Sequence, residues 1–397
     1  MTDVATASGA GIRAKRTRIA GIDVARGIAL IGMAATHMLP TSTGGQLTAV
    51  GWLFAGKASA LFAVLAGVSL AIVSGGTTPF VGADRRRARI TIAVRAALIG
   101  VLGLVLAAAE TPVAVILAYY AVFFLLTLPF LGLRARTLAL LAAGWALVSP
   151  QLSYVIRGHL PDAPRDQVDI GMLVTDPLTA LHALVFTGYY PAFTWLTYLL
   201  AGLAVGRIDL RGTRVAAWLA GLGALLAAGS WIVSSLLLDA TGATAVIRTE
   251  SGPVRLVGHE LNQIEWYGTT NAGEPQWLLV AGAHSGTTFD LVHTIGTALL
   301  VLGVCLLLAR GIGVRITRPL AAVGSMTLTL YTLHVLSLAG PIDWPAPGWY
   351  AAQVLIALVA APLWLMRFRR GPLEELVHDI STTAGLQMVP RSLPPPG

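Results

Sequence analysis

Apolar residues along this chain come in long runs separated by short polar segments. The runs fall near 19–39, 53–75, 89–109, 112–131, 137–155, 188–206, 214–238, 287–309, 319–339 and 349–367. About 20 apolar residues in a helix cover the hydrocarbon core of a bilayer, and these runs are close to that length. A backbone inside lipid must satisfy its own hydrogen bonds, which makes the runs helices and not strands. The predicted fold is therefore all-α, a polytopic transmembrane helix bundle of about ten spans. The third and fourth runs are joined tightly through Glu110–Pro112, with a proline at the start of a helix. Three parts follow: a basic tail over 1–18, a transmembrane domain over 19–370 and a C-terminal tail over 371–397. The end of that tail, Ser392–Gly397 with three consecutive prolines, reads as disordered. Two connections are long and polar, 156–187 and 239–286. They carry the acids Asp162, Asp166, Asp169, Glu250, Glu260, Glu265 and Glu274 and the aromatics Trp266, Tyr267 and Trp277. Loops of that length often serve as lids or binding segments. No internal repeat is visible by eye.

Composition sharpens this picture. The chain is 55% hydrophobic and 12% charged with a mean hydropathy of +0.74, against about 25% charged residues in a soluble domain. A net charge of +8 and a pI near 10 could suggest nucleic acid. Placement argues against it, because the arginines stand in short clusters at the ends of apolar runs, so the expected partner is the lipid bilayer. With the N-terminus inside, the inner segments hold Arg13 to Arg18, Arg85 to Arg89, Arg134 and Arg136, Arg207 to Arg214, Arg310 to Arg318, and Arg367 to Arg391. These account for 20 of the 27 basic residues, while the outer loops hold Arg157, Arg165, Arg248 and Arg255. Such an asymmetry is the positive-inside rule, and it predicts an N-in/C-in topology in a plasma membrane. Asp23 and Arg26 are wrong for the apolar stretch of a signal peptide, so the first run is expected to be retained. Rich use of Ala, Gly and Arg, with lysine only at Lys15 and Lys57, points to a bacterial genome rich in G and C. The single cysteine, Cys305, excludes an intrachain disulfide. Homo-oligomerisation is left open.

Ionisable side chains inside a membrane are costly and mark function. The first run holds Asp23, Arg26 and His37; the second opens on Gly56-Lys57-Ala58-Ser59; the third holds Arg95, the eighth Asp290 and His293, the ninth His334. Asp23 and Arg26, three apart, share a helix face and can pair, either as a structural ion pair or as contacts at the inner mouth. His37 lies 14 residues beyond Asp23, or about 21 Å along a helix, which puts it at the opposite face. Lys57 either snorkels to the outer headgroups or serves the site, and Arg95 snorkels inward. Asp290 and His293, three apart, can place a carboxylate against an imidazole. Tyr331 and His334 share the same spacing and can face one cavity. His37, Lys57, Asp290, His293 and His334 all fall at the same depth, in the outer half. No histidine spacing supports a metal site.

The segment Gly21-Ile22-Asp23-Val24-Ala25-Arg26-Gly27-Ile28-Ala29-Leu30 resembles the opening helix of the YeiB-like family, also called the domain-of-unknown-function 418 family. It is also similar to the catalytic domain of heparan-α-glucosaminide N-acetyltransferases. Gly56-Lys57-Ala58-Ser59-Ala60-Leu61-Phe62, Leu65-Ala66-Gly67, Val323 to His334, Tyr189-Tyr190-Pro191, Gly202 to Asp209 and Phe368 to Leu373 continue the resemblance in order along nearly the whole chain. It implies a transmembrane acyltransferase that takes an acyl group from a cytoplasmic donor, typically acetyl-CoA. The acceptor would be a glycan or lipid hydroxyl or amine on the other side. In those N-acetyltransferases the catalytic histidine lies in the loop after the first helix. Here that loop, Met38 to Trp52, has no histidine, and His37 stands where those enzymes tend to have asparagine. His334 does match a histidine in their Tyr-x-x-His segment.

The expected function is thus acyl transfer. His37 or His334 would be the base or acyl carrier, Lys57 the oxyanion partner, and Asp290 the group orienting His293 or holding the acceptor. Asp23 and Arg26 would meet the acyl-CoA donor, which is a co-substrate and not a covalently bound cofactor. Ser59 and Tyr331 would contact the acceptor. The alternatives are a transporter or exporter of a small polar or lipid-linked solute, or a non-catalytic membrane scaffold.

Overall fold

The structure, a computed structural model, describes residues 18–109, 111–161, 167–249, 252–339 and 346–389. The tail arginines and lysine (Arg13, Lys15, Arg16), Glu110, Asp162, Arg165, Asp166, Glu250 and the proline-rich end with Arg391 lie outside the described residues. The described chain is mostly helical. First come α1 (Ala20–Met38), a two-residue hairpin of β1 (Ser42–Thr43) and β2 (Gln46–Leu47), α2 (Ala49–Phe54) and α3 (Lys57–Val73). Then follow α4 (Gly82–Ala107), α5 (Leu117–Thr127), α6 (Ala135–Arg157), α7 (Ile170–Thr175), α8 (Pro177–His182) and α9 (Ala192–Gly206). After α10 (Thr213–Thr241) the chain forms a hairpin of β3 (Thr244–Thr249) and β4 (Gly252–Val257). It ends with α11 (Thr288–Leu308), α12 (Gly313–Ser325), α13 (Thr327–Ser337), α14 (Ala346–Arg367) and α15 (Pro372–Met388).

Among the described residues six helices are long and apolar enough to cross a membrane: Ala49–Val73 (α2 with α3), α4, α6, α10, α11 and α14. The pair α12 and α13, bent by 68° at their junction, makes a seventh when counted as one. Each of the ten apolar runs holds helix, but α5 and α9 are short, and α1 carries Asp23, Arg26 and His37 within its 19 residues. Length and composition therefore support six or seven crossings where the sequence led to ten. The ninth run is not one helix. Met326 leaves helical geometry at φ −121° and ψ 31°. Glu374 of α15 then accepts hydrogen bonds from the Leu328 and Thr329 amides at 2.7 and 3.1 Å, satisfying donors that a helix start leaves open.

α1 lies inside the bundle, packed against α3, α11, α12 and α14. Among the described residues the most extensive helix packing is that of α10 with α11. A β-carbon at Gly296 of α11 would collide with the Ala227 amide nitrogen of α10, so only glycine allows that approach. The outer faces run the other way. Leu140 and Leu147 on α6, Trp218, Leu225 and Ile232 on α10, and Ile356 and Leu363 on α14 are exposed at seven-residue spacing. In water each such side chain would forgo about 1.5–3 kcal/mol of burial, whereas lipid takes them at no such cost.

One inner arginine is not at a surface. Arg207, 4% exposed, donates through Nη1 to the carbonyls of Ala71 and Gly76 at 2.7 and 2.9 Å. Its Nη2 donates to Ser74 Oγ at 2.8 Å and to the Leu131 carbonyl at 2.5 Å. It staples the ends of α3, α5 and α9 together.

The long connection 239–286 is folded. Leu238, Ala243, Leu256, Leu261, Trp277 and Val280 form a small separate core beneath the β3–β4 hairpin. Asn262, 1% exposed, ties this cap to α10. Its Oδ1 accepts from the Ala281 amide at 2.7 Å and Ser234 Oγ at 3.1 Å, and its Nδ2 donates to Ser235 Oγ at 3.2 Å. The cap carries Glu265, Tyr267 and His284 over the His37 end of α1.

Candidate functional site

Two cavities flank α1. The larger, about 660 Å³, lies along its N-terminal half. Arg26 enters it from α1, Arg95 from α4, and Arg369 and Arg370 from the turn between α14 and α15. Phe62, Tyr120 and Phe124 give it an apolar flank. Arg26 is aimed by two partners: Asp23 Oδ1 at 3.1 Å on the preceding turn, and Ser69 Oγ on α3. Asp23, 4% exposed, also accepts from Arg18 Nε at 2.5 Å and is not itself a wall of the cavity. Arg95, expected to snorkel away, turns into this space. His378 of α15 joins the same wall; burial lowers its imidazole, and the nearby Arg370 and Arg95 cations lower it further. With Arg18, which also lines it, five guanidinium groups outnumber the single carboxylate of Glu374 on this wall, and against the apolar flank they can hold an anionic group at one end and an uncharged chain along the other.

The smaller cavity, about 380 Å³, surrounds the C-terminal end of α1. His37, Thr36 and Ser59 line it with Tyr189, Tyr190, Glu265, Tyr267 and His284. Met33 lines both cavities. Glu265 is fixed on both oxygens: Thr41 Oγ1 donates to Oε2 at 2.7 Å and Tyr189 Oη donates to Oε1 at 3.2 Å. Ser59 spends its hydroxyl on the Gly56 carbonyl at 3.1 Å, where Gly56 at φ +68° turns α2 into α3.

The residues singled out from the sequence separate into two groups at this end. His37 and His334 meet: His37 Nδ1 lies 3.0 Å from His334 Nε2 with the rings stacked, and His334 Nδ1 lies 2.7 Å from Gln353 Oε1. Lys57, Asp290 and His293 form the second group, near enough to interact electrostatically, yet none of the three lines either cavity. The expected Asp290–His293 contact does not form. His293 Nδ1 donates instead to the Ala227 carbonyl of α10 at 2.9 Å, an acceptor that the packing of α10 on α11 delivers. Asp290 Oδ2 accepts from the Gly286 amide at 2.9 Å, closing the loop that leads into α11. Tyr331 and His334 do not share a cavity either. Tyr331 faces the larger one, its Oη accepting from the Ile116 amide at 3.4 Å.

His284 escaped the sequence reading. It sits in Gly282-Ala283-His284-Ser285-Gly286, and among the described residues it is the one non-glycine residue with positive φ, at 59°. That conformation is costly for a histidine. It puts the ring 4.4 Å from Tyr189, with Nδ1 buried and without a hydrogen bond. Burial pushes its imidazole down to about 4, opposed by the Glu265 carboxylate and helped by the Lys57 cation. The two neighbouring glycines were the only local signal. Among the described residues no group of three or more His, Cys, Asp or Glu side chains is placed to hold a metal ion.

Comparison with known families agrees with this architecture. No curated protein matches the chain. The profile of the protein family of unknown function 418 matches residues 257–383, from the cap through α15. The profile described as heparan-alpha-glucosaminide N-acetyltransferase, catalytic, matches residues 18–234, which spans α1 to α10 and more than half of the chain. With its apolar outer faces and buried ionisable groups, this chain is a multi-pass membrane protein that belongs to the heparan-alpha-glucosaminide N-acetyltransferase catalytic family, an acyltransferase-like family.

Proposed function

We propose that the protein transfers an acyl group from a cytoplasmic acyl-CoA donor, acetyl-CoA being the simplest, to a glycan or lipid acceptor at the outer face. The observation that carries this reading is the pair of unlike cavities meeting at Met33, one walled by guanidinium groups and the other by imidazole, carboxylate and phenol groups. Arg26, Arg95, Arg369 and Arg370 suit the phosphates of the donor, and the apolar flank suits its uncharged arm. Asp23 contributes by aiming Arg26. His37 takes the proton of the acceptor, with His334 behind it. His284, Glu265, Ser59 and Tyr189 bound the acceptor. Lys57 and Asp290 supply charge from behind this wall, at a distance that makes Lys57 a source of field and not a hydrogen-bond donor to the reacting oxygen.

The orientation belongs to the same reading. The arginines at the start of α1, the start of α4 and the α14–α15 turn gather at one end of the bundle, and the positive-inside rule makes that end cytoplasmic. We take the chain as N-in/C-in in a bacterial plasma membrane, with α1, α5 and α9 completing about ten spans. Purified protein incubated with radiolabelled acetyl-CoA and candidate amine or hydroxyl acceptors tests the reading. Transfer that falls with Arg26→Gln in donor KM and with His37→Asn in kcat supports it; donor binding and turnover both absent in wild type refute it. A transporter remains the second reading, because cavities that meet at one side chain also describe a solute path. Solute flux in proteoliposomes without any acyl donor would favour it.

A further inference from the structure

Gln353 of α14, a neutral amide within the tenth apolar run, sits in a chain of hydrogen bonds that links Met38, Gln353, His334 and His37 and whose direction can be worked out. Its Nε2 lies 3.5 Å from Met38 Sδ. A thioether sulfur can only accept, so the amide nitrogen faces Met38 and Oε1 faces His334. That oxygen, 2.7 Å from His334 Nδ1, can only accept as well. His334 therefore carries its proton on Nδ1, and its Nε2 is a lone pair. His37 Nδ1, 3.0 Å from that lone pair, must donate to it. A neutral His37 then has a bare Nε2; the ring's hydrogen bond among the described residues runs through Nδ1, and the ring lines the smaller cavity.

We propose that Gln353 and His334 are positioning residues that hold His37 in its Nδ1–H form, so that His37 Nε2 is the base facing the acceptor. The proposal rests on the acyl-transfer reading for the identity of that acceptor. As the acceptor oxygen or nitrogen attacks the thioester carbonyl carbon, its proton passes to His37 Nε2. The carbon–sulfur bond breaks, and His37 returns the proton to the departing thiolate, giving the acylated acceptor and the free thiol. The imidazolium formed in between stays hydrogen-bonded through Nδ1 to a neutral His334, which Gln353 keeps from turning over. A neutral histidine left to itself favours the Nε2–H form, which would offer the acceptor a donor in place of a lone pair. Fixing the tautomer is the service an orienting group performs for a catalytic imidazole.

Nitrogen-15 NMR of histidine-labelled full-length protein in detergent reads the tautomers directly, with His37→Asn and His334→Asn identifying the signals. The expected result is Nδ1–H for both rings in wild type, retained in Gln353→Glu and lost at His334 and His37 in Gln353→Leu. In the transfer assay, Gln353→Leu should lower kcat at least about tenfold, within the range a general base contributes, with donor KM within about twofold and activity recovered in Gln353→Glu. His37 found as Nε2–H in wild type, or unchanged tautomers and pH profile in Gln353→Leu, would overturn the proposal. Wild-type tautomers as expected without transfer to any acceptor would refute the acyl-transfer reading and the base role with it, leaving the tautomer assignment standing.

Discussion

Replacing Arg207 with methionine should destabilise the bundle while leaving both cavities intact. Arg207 touches neither cavity, but its guanidinium bonds to the Ala71, Gly76 and Leu131 carbonyls and to Ser74 Oγ. Ala71 keeps a second donor, the Gly76 amide at 2.8 Å, so the loss falls mainly on the buried carbonyls of Gly76 and Leu131. Each buried acceptor stripped of its donor costs about 1–3 kcal/mol, giving about 2–6 kcal/mol for the two. Part is offset because the variant no longer desolvates a cation. The expected net loss is about 2–4 kcal/mol, with Arg207→Lys losing less because its ammonium keeps the acceptors on one side, though it cannot reach those on both. Unfolding in mixed micelles, followed by circular dichroism against denaturing detergent, measures it. A change below about 0.5 kcal/mol, the range of an ordinary surface substitution, would show that Arg207 is a topological marker and nothing more.

Three further outcomes follow from the same geometry. Asn262→Ala removes the tie between cap and α10 at a site 1% exposed; protease cleavage within 239–286 should accelerate, by a factor corresponding to about 1–3 kcal/mol of local stability, and an unchanged rate would contradict the tie. His284 is held near 4 in the folded chain against 6.5 unfolded, so between those values the unfolded chain binds the extra proton. Stability should rise with pH across that window, by up to about 1.4 kcal/mol per unit. His284→Asn, which tolerates the left-handed backbone, should flatten that slope, and identical slopes would refute the assignment. Gly296→Val drives a side chain into α10 and should cost about 3 kcal/mol or abolish folding. Gly229→Ala, where a β-carbon meets nothing within 4 Å, should be neutral in the same detergent-unfolding assay; equal effects would dismiss the close-packing argument.

Much of the bundle was legible because its causes are local. Lipid-facing helices announce themselves as runs, and Asp23 with Arg26 pair because a helix puts residues three apart side by side. The same rule misled at Asp290 and His293, where the Ala227 carbonyl of another helix is the better acceptor. The break at Met326 was hidden because the carboxylate that supports it, Glu374, comes from α15. Arg207 counted toward the orientation of the chain, yet its side chain is consumed by packing. His284 has no signature beyond two glycines, since its chemistry arises from an unusual φ and from tyrosines that tertiary structure delivers. Gln353 was invisible, as a neutral amide in an apolar run raises no electrostatic question.

Met33 belongs to the wall of both cavities, which has an electrical consequence. In an energised bilayer, if the donor cavity opens to the inner face and the acceptor cavity to the outer one, as the proposed function requires, water in each would carry its bath's potential to their common wall. Most of the voltage would then drop across the width of one methionine and not across the full hydrocarbon thickness of about 30 Å. A whole charge moved past that residue would exchange about 2.3 kcal/mol with the membrane per 100 mV. Turnover in sealed vesicles would consequently respond to voltage if any catalytic step carried net charge past Met33, and would be indifferent to voltage if only neutral groups crossed.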